Sequence, residues 1–212
     1  MVNEISIEIK GISKIFSSKR AVFRNVNYSF KSGNIYSITG QNGSGKSTLL
    51  KILAGVLSKS SGKIEWIVDS MKIDNEVINE FFGFVAPYLN LYEEFSIDEI
   101  VQIVADIRGI ELDLQFINRM VTDFGLEKRT LDPISSFSSG MKQRVKFIIA
   151  LLHKPKILLL DEPFTNFDEL GKQIVTAIIM EIINQNGIVI IASNDKDEIE
   201  ICNKNLSILD FQ

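Results

Sequence analysis

The chain has 212 residues, 45% hydrophobic and 24% charged, which is ordinary for a globular domain and long enough to bury a core without disulfides or metals. Lys+Arg of 23 against Asp+Glu of 27 gives a net charge of -4, so no global attraction to nucleic acid or acidic membrane is expected. The single cysteine, Cys202, excludes an internal disulfide, cannot build a zinc site by itself, and fits a reducing compartment. The opening MVNEISIEIK carries an early acid and alternates, unlike a secretory leader. No stretch reaches the ~18 apolar residues of a membrane span. Mean hydropathy is +0.14, a slight apolar surplus that the fold must explain.

In chain order, residues 4–10 alternate, with Ile5, Ile7 and Ile9 on one face, and read as a strand. Residues 21–30 alternate too and end at the turn Lys31-Ser32-Gly33-Asn34. Residues 35–39 form a short apolar strand. A glycine-rich loop follows, then a helix over about 45–57 with Leu49, Ile52, Leu53 and Val56 on one face. Strands are expected at 63–68 and 81–86. The stretch 96–126 reads as helix broken at Gly109 and Gly125, and 139–152 as a helix stopped by Pro155. A buried strand at 157–160, a helix at 169–184, a buried strand at 188–192 and a final strand at 206–210 complete the chain. Continuous apolar runs of this kind suit parallel strands covered on both faces. The class is α/β.

Residues 40–47 read GQNGSGKS, the phosphate-loop pattern G-x-x-x-x-G-K-[ST], placed between an apolar strand and an amphipathic helix as the motif requires. Gly40, Asn42, Gly43, Ser44, Gly45, Lys46, Ser47 and Thr48 are its binding residues. The backbone N–H groups of residues 43–46 can point at phosphate oxygens at a positive helix end, and the glycines permit the close approach. Lys46 would reach the β/γ-phosphates and the Ser47 hydroxyl would ligate Mg²⁺. Residues 156–162 read KILLLDE. Four apolar residues deliver Asp161 to a strand end, where it would hold Mg²⁺, and Glu162 beside it would be the general base for the attacking water.

These residues resemble the ATP-binding cassette (ABC) ATPases. FSSGMKQR at 137–144 resembles the family signature: Ser138, Ser139 and Gly140 match its small-residue core. By physics alone Ser138 caps a helix starting near Ser139 and, with Gly140, offers a hydroxyl and N–H groups to an anion. Phe16 stands where the family stacks an aromatic on adenine. TNFD at 165–168 resembles the family's D-loop. The resemblance runs from Ile5 to Leu209. It implies a phosphate-loop NTPase core of mainly parallel sheet, an N-terminal antiparallel portion and an inserted helical subdomain. The single domain 1–212 would divide into a core of about 1–87 and 156–212 and a helical subdomain of about 88–155. It further implies ATP and Mg²⁺, hydrolysis coupled to transport, a head-to-tail partner cassette, identical or different, and a separate membrane permease. Such a subunit sits in the cytoplasm against the inner face of the membrane. Part of the apolar surplus would be a docking face around Tyr88–Phe95.

Two positions depart from the family. Pro87 stands where a glutamine usually touches Mg²⁺ or water, and proline has neither a polar side chain nor an N–H. Asn194 replaces the switch histidine; its amide can still donate to the γ-phosphate but cannot become a cation. Similar replacements occur in short bacterial cassettes resembling haem exporters. The expected activity is slowed hydrolysis, with Glu162, Lys46 and Asn194 as catalytic residues. Alternatives are a nucleotide-gated cassette of weak activity and a soluble ABC ATPase outside transport. The absence of heptads between Lys46 and Ser138, the single cassette and the acidic balance speak against a nucleic-acid role. No N-K-x-D motif supports a GTPase, and the third glycine of a dinucleotide site is missing. His153 and Trp66 read as structural, Cys202 as a small core residue, and Asp195, Asp197, Glu198 and Glu200 as a solvated helix start.

Overall fold

The computed structural model describes residues 4–16, 21–73 and 78–212, without the side chain of Asn79. In chain order the main elements are β1 (Ile5–Ile15), β2 (Ala21–Lys31), β3 (Asn34–Thr39), α1 (Lys46–Leu53), β4 (Ser61–Val68), β5 (Met71–Ile73), β6 (Phe82–Val85), α2 (Ile97–Arg108), α3 (Leu114–Asp123), α4 (Ser139–Leu151), β7 (Ile157–Asp161), α5 (Glu169–Asn184), β8 (Ile188–Ala192), α6 (Lys196–Glu200) and β9 (Lys204–Ser207). Short 3₁₀ turns lie at Ile78–Glu80, Ile134–Ser136 and Ile208–Phe211. The fold is α/β, with a five-stranded parallel sheet in the order β6-β7-β8-β3-β9 and a four-stranded antiparallel sheet in the order β2-β1-β4-β5.

Alternation along the parallel strands sends side chains to two separate cores. Leu158 and Leu160 of β7, with Val189 and Ile191 of β8, face a cluster built with α2, α3, α4 and α5. Ile157, Leu159, Ile188 and Ile190 face the opposite cluster, built with α1 and the antiparallel sheet. Every residue of β7 and β8 is therefore buried, and these strands account for part of the apolar surplus. The second cluster holds the Ile5, Ile7 and Ile9 face of β1, each at most 1% exposed, and Trp66 at 3%. Among the described residues no helix is long and apolar enough to cross a membrane.

Four expectations are corrected. The first strand runs on to Ile15 through a bend at Gly11, whose φ is +65°. Helix α1 stops at Leu53, because Gly55 turns left-handed (φ +69°) and Val56 N and Leu57 N close back on Lys51 O. Val56 is then off the helix and 62% exposed. The last strand is Lys204–Ser207 rather than 206–210, because its partner β3 ends at Thr39, opposite Ser207. With no ladder to extend, Ile208 enters a 3₁₀ turn and is fully buried there. Finally, Glu198 is 2% exposed and not a solvated charge. The break near Gly109 is a capped end: Ser96 opens α2 with a capping box and Gly109 closes it at φ +64°.

Strand β6 and helix α4 meet at Gly83, where an added Cβ would stand 2.5 Å from the Ala150 carbonyl oxygen. The backbone on the α4 side cannot yield as a flexible side chain would. Gly83→Ala is expected to cost roughly 1–3 kcal/mol by overpacking and to lower the thermal unfolding midpoint by several degrees in calorimetry. An unchanged midpoint would mean that this contact is slack.

Candidate active site

Strand β8 lies between β3 and β7, and its last residue sets the height of both neighbours. Ala192 pairs with Ile38 on one side and with Asp161 on the other. The 40–45 loop, Asp161 and the 193–195 turn therefore emerge at one end of the sheet. In the loop, Gly40 has φ +152° and Gly45 φ +107°. A Cβ would stand 2.5 Å from Ser44 Oγ at Gly40, and 2.5 Å from Val22 Cγ1 at Gly45. Both glycines are required by conformation and by space.

Lys46, the first residue of α1, is 6% exposed and donates from Nζ to Gly40 O (2.8 Å) and Gln41 O (3.3 Å). Burial lowers its pKa, while Glu162 and Asp161 oppose that shift. The amine thus closes on its own loop, with the acids behind it. The buried Ser44 hydroxyl has no hydrogen-bond partner among the described residues, as expected of a loop shaped for a further acceptor or donor.

Ser47 Oγ donates to Asp161 Oδ1 at 2.9 Å across 114 positions of sequence. Asp161 is 2% exposed, and its second oxygen, Oδ2, has no hydrogen-bond partner among the described residues. Burial raises the carboxyl pKa, opposed by the Ser47 hydrogen bond and by the charges of Lys51 and Lys46. A hydroxyl beside an orphaned buried carboxylate oxygen is a donor set for a hard cation. Among the described residues no group of three His, Cys, Asp or Glu side chains could cage a metal. A cation here keeps waters and ligand oxygens, which is the habit of Mg²⁺. The residues present fit that ion.

Glu162 follows in a strained left-handed conformation, φ +46°, held by its N–H to Ala192 O (3.0 Å) and by Thr165 N–H to its own carbonyl (3.1 Å). Such strain at a non-glycine residue marks a position fixed by its surroundings. Its side chain is exposed and lines a cleft of about 460 Å³ with Asn42, Asn194, Asp195, Lys172 and Glu198. Asn194 Nδ2 donates to Asn42 Oδ1 at 2.7 Å, tying the 193–195 turn to the phosphate loop.

Other predicted residues lie elsewhere. Ser138 caps α4, accepting from Met141 N–H at 3.3 Å. Gly140 stands against the D-loop-like segment: a Cβ there would be 2.7 Å from Asn166 O. Arg144 of α4 reaches Asp168 at 3.1 Å. Among the described residues no hydrogen bond joins residues 138–140 to the phosphate loop. Phe16 is 47% exposed at the end of β1, with Lys14 Nζ 4.9 Å from its ring centre. Of the expected docking face, Tyr92 is 69% exposed, whereas Phe95 is partly buried. Sequence reasoning missed Glu198, which accepts the Phe164 N–H at 2.6 Å and braces the turn after Glu162. Its place among other acids hid it. Lys146 of α4, also missed, donates from Nζ to the Pro87 carbonyl at 2.7 Å.

A family model described as ABC transporter matches residues 23–165. The lantibiotic transport ATP-binding protein SrtF of Streptococcus pyogenes is 32% identical over 92% of this chain and 82% of its own length. The ABC transporter ATP-binding protein YybJ of Bacillus subtilis is 32% identical over 91% of this chain and 87% of its own length. A solved ABC transporter ATP-binding protein of Pyrococcus furiosus superposes with a TM-score of 0.80 at 26% identity, covering 98% of this chain and 99% of that one.

Two buried groups give the protein opposing responses to pH. Burial pushes the Glu198 carboxyl up from 4.5 to about 7. Folding then binds a proton in that window, and stability falls as pH rises through it. His153, whose Nε2 meets Phe82 O at 3.0 Å, is pushed down from 6.5 to about 4 by burial and by Arg108. It stays neutral in the fold and charges on unfolding, so its contribution rises with pH over that window. In wild type the two slopes offset each other. Glu198→Gln is expected to leave the rising slope exposed below pH 6.5, by up to roughly 1.4 kcal/mol per pH unit. Denaturant titrations across this range would read it, and a variant slope equal to wild type would count against the buried acid.

Proposed function

Since the chain belongs to the ABC transporter family, we propose that it is the ATP-hydrolysing subunit of a transporter whose permease is a separate chain. The observation that carries this reading is the Ser47–Asp161 pair, 2.9 Å apart beside Lys46 and Glu162. Ser47 and Asp161 would hold Mg²⁺, which supplies charge neutralisation and a template for the β- and γ-phosphate oxygens. Lys46 turns from Gly40 O and Gln41 O to the phosphates, exchanging neutral acceptors for anionic ones. Glu162 accepts the proton of the attacking water. Asn194 releases Asn42 and donates its amide to the γ-phosphate. Phe16, exposed and flanked by Lys14, offers a face for adenine.

Ser138, Ser139 and Gly140 act on the nucleotide of a second cassette, because in their own chain they adjoin Asn166 and not the phosphate loop. The composite site then needs two cassettes, the same or different. Segment 88–155 is the docking subdomain for the permease, and 1–87 with 156–212 the nucleotide core. Residence on the inner face of the membrane follows from that docking. A second reading, a cassette that binds ATP as a clamp with little turnover, is favoured by Pro87 and by the Asn194–Asn42 lock.

With the permease and partner cassette present, Glu162→Gln is expected to slow ATP turnover by about 10²-fold or more while Mg²⁺–nucleotide binding persists. Lys46→Ala is expected to weaken that binding at least about tenfold. Wild-type turnover no faster than that of Glu162→Gln would establish the clamp instead.

A further inference from the structure

The turn that carries Glu162 is fixed from outside itself. Glu162 has φ +46° and Asn166 φ +65°, a region that a residue with a Cβ enters only when its surroundings hold it there. Two hydrogen bonds are internal to the turn: Thr165 N–H to Glu162 O and Phe167 N–H to Phe164 O, each at 3.1 Å. Glu198 supplies a bond from another element, accepting the Phe164 N–H on Oε1 at 2.6 Å. Helix α6, which carries Glu198, is itself anchored. Asp195 Oδ1 accepts the Asp197 and Glu198 N–H groups at 2.8 and 3.3 Å. Lys172 of α5 pairs with Asp197 at 2.9 Å, and the Cys202 thiol donates to Glu198 O at 3.2 Å. The Glu198 side chain is buried, and its Oε2 has no hydrogen-bond partner among the described residues. A buried carboxyl oxygen left in that state is costlier than an apolar side chain of the same size, so packing alone does not account for the acid. It lines the same cleft as Glu162 and Asn194.

We propose that Glu198 is a positioning residue that aims Glu162: its hold on the Phe164 N–H fixes the 162–165 turn and so sets where the Glu162 carboxylate stands in the cleft. The inference rests on the reading of Glu162 as the general base. The Glu162 N–H is pinned to Ala192 O of β8 at 3.0 Å, and two residues on the chain is pinned to Glu198. The backbone that bears the base is therefore held between β8 and α6. A base must meet its water closely, and a displacement of about 1 Å can cost ~10²-fold in rate. Asn194, which bonds Asn42 of the phosphate loop, lies just before the Asp195 cap of α6. One short helix thus sets both the turn of the base and the turn of the amide.

The test measures ATP turnover with the permease and partner cassette present, for Glu198→Met and Glu198→Gln, each made alone and on Glu162→Gln. Methionine keeps the volume and removes the acceptor, whereas glutamine keeps a carbonyl oxygen for the Phe164 N–H. Glu198→Met is expected to lower kcat about 10- to 30-fold with KM for ATP within about twofold, and Glu198→Gln to restore kcat to within about threefold of wild type. On Glu162→Gln, where no base remains to be aimed, the methionine change is expected to cost less than about twofold in single-turnover release of labelled phosphate. An equal loss in both backgrounds, a raised KM with kcat unchanged, a glutamine variant as slow as methionine, or no loss at all overturns the inference. Wild-type turnover no faster than that of Glu162→Gln overturns the Glu162 reading instead, and the positioning role with it. Unfolding midpoints above the assay temperature show that folded proteins are compared. Should Glu198→Met unfold, Glu198→Asp, which withdraws the acceptor by one methylene, is expected to show the same kcat loss in smaller measure and the same loss of effect on Glu162→Gln.

Discussion

The register of a single strand governs the chemistry of this molecule. Ala192 at the end of β8 pairs with Ile38 of β3 and with Asp161 of β7. A parallel ladder permits this levelling, because all three strands then end on the same edge of the sheet. Ligand sites in open α/β sheets lie outside these carboxyl ends for that reason. A slip of one residue in the β7–β8 pairing would turn Asp161 to the other face of the sheet and separate it from Ser47. The Ser47–Asp161 hydrogen bond is a consequence of that register, as is the brace from Glu162 N–H to Ala192 O.

Register is held in turn by burial on both faces. Strands β7 and β8 contribute alternate residues to each of the two clusters. The helices on one side and the antiparallel sheet with α1 on the other therefore clamp the same strands. Several of the buried polar groups are tied to the site. Lys46 bonds its own loop, Glu198 takes the Phe164 N–H, and Ser193 accepts the Asp195 N–H at 2.8 Å. The left-handed Glu162 and Asn166 lie in the same turn, where strain is tolerated because the surrounding bonds over-determine the backbone.

Much of this was legible in the residues. The helix expected over 169–184 is present as Glu169–Asn184, and the structure adds that Asp168 caps it by accepting the Gly171 N–H. The buried strands follow from ILLL and IVIIA, and the phosphate loop and its acid from GQNGSGKS and KILLLDE. The failures have physical causes. Val56 fits the helical period, but the period continues past Gly55, where the backbone does not. Residues 206–210 have strand composition, but a strand needs a partner, and β3 ends first. Glu198 sits among acids that are exposed, and only the approach of the Phe164 amide buries it.

The sequence by itself determined the chemical inventory: a phosphate loop, an acid pair at a strand end, a capped signature helix, and two accessory positions occupied by Pro87 and Asn194. These are local patterns, set by residue type and spacing along one segment. The tertiary structure alone decided which of them meet. Ser47 and Asp161 are joined and Asn194 reaches Asn42, while Ser138–Gly140 lie apart beside Asn166. It also seated Lys146 of a distant helix on the Ala86 and Pro87 carbonyls. Contacts of that kind depend on strand order and on packing between elements far apart in the chain, and no local pattern encodes them.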